Sequence, residues 1–230
     1  MSEYERPFTD EDRKKVVKRY TQRFAEFGHS QEALGWGKKG RQQLRFEILC
    51  SYWNLAGMRI LDLGAGFGDL FQFLKIKDIE SYFGVELTPA MVTEGLNQYG
   101  SDPRFHLFVG DASDLALVPQ CDISIISGLF NFKLESGDNY SFIEQTLKTA
   151  FEKSNSGCAA NFVTDRVDYI EDLIFNARPE TILTIALGIT KNIAMRFDYM
   201  PFEFSIFLNK HQSFDPSVAV FDSIRGDARE

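Results

Sequence analysis

Three glycines at alternate positions, Gly64, Gly66 and Gly68, follow a short apolar run in RILDLGAGFGDL, residues 59–70, with Asp62 ahead of them and Asp69 behind. Residues without a Cβ permit a tight turn and let a ligand approach the backbone, and a helix starting there exposes its first N–H groups. A dinucleotide loop, G-x-G-x-x-G/A, needs a small residue where this chain has Asp69, whose carboxylate would oppose a pyrophosphate. A triphosphate loop needs G-x-x-x-x-G-K-[ST], which the sequence does not contain. Two further carboxylates end later apolar runs: Glu86 closes YFGVE and Asp111 closes FVGD. By type and position, Asp62 suits a ligand ammonium, Glu86 the paired hydroxyls of a ribose, and Asp111 an adenine amine, with the Ala112 N–H donating to the ring.

These side chains need a scaffold that gathers several strand ends at one edge. Apolar runs that suit buried strands, RILDLG, SYFGVEL, FHLFVGD, DISIISGLF and GCAANFVTD, alternate with helical patterns beginning near Asp69, Pro89 and Tyr140. Thr88-Pro89 supplies an N-cap and a first-turn proline, and Gly100 ends that helix. The alternation predicts an α/β fold, a doubly wound parallel sheet with helices on both faces. RPETILTIALGI reads as a last helix, and two strands flank Pro201; strands so closely joined must be antiparallel. Upstream, TDEDRKKVVKRYTQRFAEFG predicts an amphipathic helix with Thr9 as N-cap and Val16, Val17, Tyr20, Phe24 and Phe27 on its apolar face. A second helix is expected within RQQLRFEILCSYWNL, and the polar residues 211–230 read as a loose tail.

Asp62-Leu-Gly64-Ala-Gly66-Phe-Gly68, Glu86 ending the second strand and Asp111-Ala112 after the third resemble, in order and spacing, the motifs of class I S-adenosylmethionine-dependent methyltransferases. The likeness spans roughly residues 45–210. It implies seven mostly parallel strands in the order 3-2-1-4-5-7-6, with S-adenosyl-L-methionine held by Asp62, Gly64, Ala65, Gly66, Gly68, Glu86, Leu87, Asp111, Ala112 and Ser127. GWGKKGRQQLRFEIL is also similar to the Trp followed by an S-Q-x-x-R-F helix of a bacterial subgroup, many of whose members lack an assigned substrate. Trp36, Gln42, Arg45 and Phe46 match, and Arg41 stands at the usual serine. Arg45 then pairs with the cofactor carboxylate or is a surface helix cation. The organisation expected is an N-terminal helical lid over 1–45, a cofactor-binding domain over 46–210 and the tail.

A sulfonium-borne methyl group is transferred by in-line displacement, which depends on placement and on excluding water more than on a protein nucleophile. Topology puts Asp198, Tyr199 and Glu203 at the hairpin turn, and Asn131 after the fourth strand, on the cofactor edge. They are the candidate catalytic residues, with Asp198 or Glu203 as base for a hydroxyl acceptor. In the alternative, the two acids orient the hairpin, Tyr199 packs and Asn131 caps a helix. The acceptor expected is a small metabolite methylated on N or O. The net charge, 25 − 33 = −8, argues against a broad nucleic-acid surface, as does SGLFNFK in place of the Asn/Asp-Pro-Pro-aromatic element of nucleobase amine methyltransferases. Residues 1–45 nevertheless hold eleven Lys/Arg against seven Asp/Glu, so tRNA stays as an alternative acceptor, and a non-catalytic cofactor-binding regulator as another. Cys50, Cys121 and Cys158 read as buried thiols, no metal site is visible, and a cytoplasmic monomer or homodimer without a membrane segment is expected.

Overall fold

A strand covered on both faces needs a continuous apolar run, and Ile60, Leu61 and Leu63 of β1 (Arg59–Leu63) are all fully buried. The computed structural model describes residues 7–35, 40–113, 115–116 and 118–222. β1 lies at the centre, parallel to β2 (Ser81–Glu86) on one side and β4 (Cys121–Ile126) on the other. Outward follow β3 (Phe105–Val109) beyond β2, and β5 (Ser154–Val163), β7 (Glu203–Asn209) and β6 (Asn192–Arg196) beyond β4. The order is β3-β2-β1-β4-β5-β7-β6, with β7 antiparallel to both its neighbours. From β1 the chain winds outward to β3 and then returns to β4, so a crevice opens beyond the carboxyl ends of β1 and β4.

Helices α2 (Arg41–Leu49), α3 (Asp69–Leu74) and α4 (Pro89–Tyr99) cover one face through Phe46, Leu49, Leu70, Phe71 and Val92. The other face packs on α5 (Asn139–Lys153) and α6 (Pro179–Leu187) through Phe142, Ile143, Leu147, Ile182 and Ala186. At about 25 cal/mol per Å² of apolar surface, these clusters are the main driving force of the fold. Thr9 caps α1 (Asp10–Phe27), its Oγ1 accepting the Asp12 N–H at 3.2 Å. Thr88 precedes α4 as expected, but its side chain forms no capping bond and its N–H is used elsewhere.

α1 does not lie on a sheet face. Tyr20 and Phe24, with Leu34 from the following turn, pack on Phe67 and Met91 at the crevice. Near the start of the helix, the fully buried Asp12 accepts the N–H groups of Glu135 (2.9 Å) and Gly137 (2.7 Å) from the loop that follows β4. The helix therefore bridges the two sides of the crevice. The tail departs from expectation: β8 (Phe214–Asp215) pairs antiparallel with β9 (Val220–Phe221). Asp215 Oδ1 accepts the Ser217 N–H and hydroxyl, a side-chain-made turn that closes this small hairpin.

Candidate active site

The glycine turn is folded as a tight corner at the end of β1. Gly64 and Ala65 donate their N–H groups to the Val85 carbonyl, at 2.9 and 3.1 Å, which ties the turn to the end of β2. Gly66 has φ +57° and Gly68 φ +82°, left-handed conformations that cost other residues about 1–2 kcal/mol each. A Cβ at Gly68 would meet the Phe105 ring at 2.8 Å, so this glycine serves packing. A Cβ at Gly66 would stand 2.9 Å from Leu34 Cδ2, so this one keeps the corner open towards the turn above it.

Glu86 is fixed beside that corner. Its Oε2 accepts the Gly66 N–H at 3.0 Å and its Oε1 the Thr88 N–H at 2.8 Å. Burial raises its pKa, and the backbone donors partly offset the rise. Asp62 Oδ2 accepts the Tyr82 hydroxyl at 2.7 Å. Burial pushes the Asp62 carboxyl up to about 7, the tyrosine bond pulls the other way, and the Glu86 and Asp69 charges add to the rise. Ser127 Oγ is buried without a hydrogen-bond partner among the described residues. These groups line one cleft with Gly64, Ala65, Gly66, Leu87 and Ala112.

Asp111 lines the same cleft but is already engaged. Its Oδ2 lies 2.6 Å from Arg13 Nη2 of α1, and its Oδ1 accepts the Ser113 N–H at 2.7 Å. An adenine amine there would have to share the carboxylate with Arg13. Asp69 is the other engaged acid, accepting from Tyr99 at 2.9 Å and Gln42 at 3.3 Å, with His29 Nε2 at 2.8 Å. Burial disfavours the Asp69 charge, but the bonds from His29, Tyr99 and Gln42 outweigh it and hold the carboxyl below its ordinary value. In return, the bond to Asp69 raises the His29 pKa. Thus Arg13 and His29 fasten α1 and its following turn to the chain that follows β3 and to the start of α3.

The remaining expected site residues separate into two groups. Arg45 is 4% exposed and paired with Glu203, 1% exposed, rather than lying at the surface. Its Nε donates to both Glu203 oxygens, at 2.9 and 2.8 Å. Asn161 continues the network, donating to Glu203 Oε2 at 3.1 Å and accepting the Gly128 N–H at 2.8 Å. The guanidinium is thereby directed to Glu203, and the two charges face each other within the fold. Asp198 also pairs with a cation, Arg196 at 2.9 Å, which holds its carboxyl below the ordinary value; it is exposed and lines neither cavity. Tyr199 bonds Ser205 Oγ at 2.8 Å and packs with the α2-side cluster, also away from both cavities. Asn131 and Glu203 do line a cavity, the second, of about 520 Å³. It adjoins the first through the shared Tyr20, Leu34, Gly128 and Phe132.

Sequence reasoning missed Asp12, Arg13, His29, Tyr82 and Asn161 as site-building residues. Only Asn161 left a signal, an amide within the apolar strand GCAANFV. Trp36 lies outside the described residues.

No family model and no curated protein matches the sequence. Solved structures do. Magnesium protoporphyrin IX methyltransferase from Synechocystis PCC 6803, with bound S-adenosylmethionine, superposes over 86% of this chain and 96% of its own, with a TM-score of 0.63 at 14% identity. The fold is that of S-adenosylmethionine-dependent methyltransferases. The methyltransferase fold is shared also with such an enzyme from Clostridium acetobutylicum ATCC 824, over 82% of this chain and 98% of that one, with a TM-score of 0.61 and 14% identity. Human N-acetylserotonin methyltransferase, in complex with S-adenosylmethionine, matches over 85% of this chain and 57% of its own, with a TM-score of 0.63 and 11% identity.

Proposed function

We propose that the chain is an S-adenosylmethionine-dependent methyltransferase acting on an N or O atom of a small molecule. One observation carries this reading: Glu86 is buried at the carboxyl end of β2, both oxygens fixed by backbone N–H groups, and faces the cleft beside Gly66. Each oxygen keeps a lone pair for a ribose hydroxyl. The rest of the cleft fits the cofactor as well. Asp62 bonds Tyr82 through Oδ2, which leaves Oδ1 without a partner among the described residues and suited to an ammonium, and Ser127 Oγ is a buried polar atom likewise lacking one among them. When bound, the cofactor supplies an electrophilic methyl group on a sulfonium.

The chain's own contribution is placement and exclusion of water. Glu86, Asp62 and the glycine corner orient the donor, while α1 and the turn carrying Leu34 cover it as a lid. The cavity over Gly66 is about 110 Å³, small against the roughly 300 Å³ and more of ordinary ligand sites. Hence the lid opens for cofactor entry, releasing Arg13 from Asp111 and admitting the adenine. With Asp198 and Glu203 each committed to an arginine, the acceptor atom arrives already nucleophilic, as a neutral amine or an ionised oxygen. Methyl-labelled S-adenosylmethionine, incubated with the protein and either a cell metabolite pool or total RNA, tests the reading. Label in the small-molecule fraction is expected; label in RNA alone would refute the substrate class, and no label in either would refute the activity.

A further inference from the structure

Arginines four residues apart on a helix share a face, and two such pairs, Arg19/Arg23 on α1 and Arg41/Arg45 on α2, line the second cavity. Their charges are not alike in effect. Arg45 is cancelled by Glu203. Arg23 is held in place by the Ala33 carbonyl, at 3.2 Å, and by that of Glu32, and meets no acid among the described residues. Arg41 lies 4.8 Å over the Phe202 ring, and Arg19 has no acidic partner among the described residues. The opposing charge on the wall is Glu171, which is exposed. The cavity is therefore a cationic site in a protein whose net charge is −8. Where the cavity adjoins the cofactor cleft the wall is apolar and aromatic, with Tyr20, Leu34 and Phe132. On the wall of the second cavity, Asn131 Oδ1 is buried and has no hydrogen-bond partner among the described residues.

We propose that this cavity holds the methyl acceptor as a small organic anion with an apolar body, its charge on Arg19 and Arg41 and a donor group on Asn131 Oδ1. The proposal rests on the reading of the adjoining cleft as the cofactor site. A carboxylate and a phosphate ester share the chemistry the arginines recognise, since both accept forked guanidinium bonds. The apolar wall selects against inorganic anions, which bring nothing to cover it. Asn131 directly precedes Phe132, which lines both cavities, so the donor group bound there lies at the end of the acceptor nearer the cofactor cleft.

Ligand-observed NMR titration of benzoate, phenyl phosphate and neutral benzamide into protein saturated with S-adenosylhomocysteine tests this. At least one anion should bind about tenfold or more tightly than benzamide, the discrimination expected of a charged hydrogen bond, and the tighter of the two identifies the anion class. In R19Q/R41Q that preference should fall about tenfold, while calorimetric S-adenosylhomocysteine affinity stays within about twofold. Equal binding of benzamide, or anion binding undiminished in the double variant, would overturn the proposal. If S-adenosylhomocysteine does not bind the wild type, the cofactor reading fails by itself. The same titration on the ligand-free protein then still decides whether an anion site exists.

Discussion

Replacing Arg45 with Met separates two roles that one guanidinium could fill. The side chain is 4% exposed and its partner Glu203 1% exposed, so removing the cation strands a buried carboxylate that keeps, among the described residues, only the Asn161 amide at 3.1 Å. Breaking a buried pair from one side costs about 3–5 kcal/mol. With a urea m-value of about 3 kcal/mol/M, the midpoint should fall by about 1–1.7 M. Replacing both residues with Met removes both charges, and such swaps are close to neutral apart from the Asn161 donor, which loses about 1 kcal/mol. The double variant should therefore be far more stable than the two single losses would sum to. Urea unfolding of the four proteins, followed by far-UV circular dichroism, measures the cycle. A shift under about 0.3 M for R45M, or strict additivity, would refute the reasoning. A tenfold loss of S-adenosylhomocysteine affinity with an unchanged midpoint would instead make Arg45 a ligand clamp.

Other perturbations report on the lid and on the cleft. His29 has its pKa raised, chiefly by the bond to Asp69, with Glu94 adding to the rise, so its stabilisation is complete below its unfolded value near 6.5 and fades as pH climbs through the folded one. The difference in thermal midpoint between wild type and H29Q should accordingly be largest in mildly acidic buffer and shrink towards alkaline pH; a pH-independent difference would contradict the His29–Asp69 tether. Asp62, pushed up to about 7 by burial, must be ionised to hold an ammonium, so S-adenosylhomocysteine affinity should fall as pH drops below about 7. The profile for D62N should be flatter and weaker throughout. The same raised pKa is a cost to the ligand-free fold that builds as pH rises from the ordinary value of 3.8 to about 7 and is complete above it, so D62N should melt higher than wild type at pH above about 8 without ligand.

Much of this arrangement was legible in the sequence because it is local. Continuous apolar runs named the central strands, the glycines and their flanking acids named the cleft, and Pro201 between two strands forced the antiparallel end. Even the helix starts fell within a residue or so, at Asp69, Pro89 and Asn139. What stayed hidden is long-range. Asp12 read as an ordinary first-turn acid, yet it holds a loop more than a hundred residues away; nothing in TDEDRKK marks which of its acids turns inward. Arg45 and Glu203 are 158 residues apart, and neither shows in sequence that the other will neutralise it. The hairpin turn put Asp198 and Tyr199 at the right edge of the sheet, but an edge is wider than a site. Side-chain pairing with Arg196 and Ser205 drew both away from the cavities. The tail hairpin was missed because two-residue strands carry too little pattern to read.

The central claim is that Glu86 and the Gly64–Gly68 turn hold S-adenosylmethionine. Isothermal calorimetry of S-adenosylhomocysteine against wild type and E86A tests it directly. One-to-one binding by the wild type is expected, with a loss of about tenfold to a hundredfold in E86A, the worth of about 1.5–3 kcal/mol for bonds to a charged acceptor. No binding by the wild type, or equal binding by a folded E86A, would contradict it.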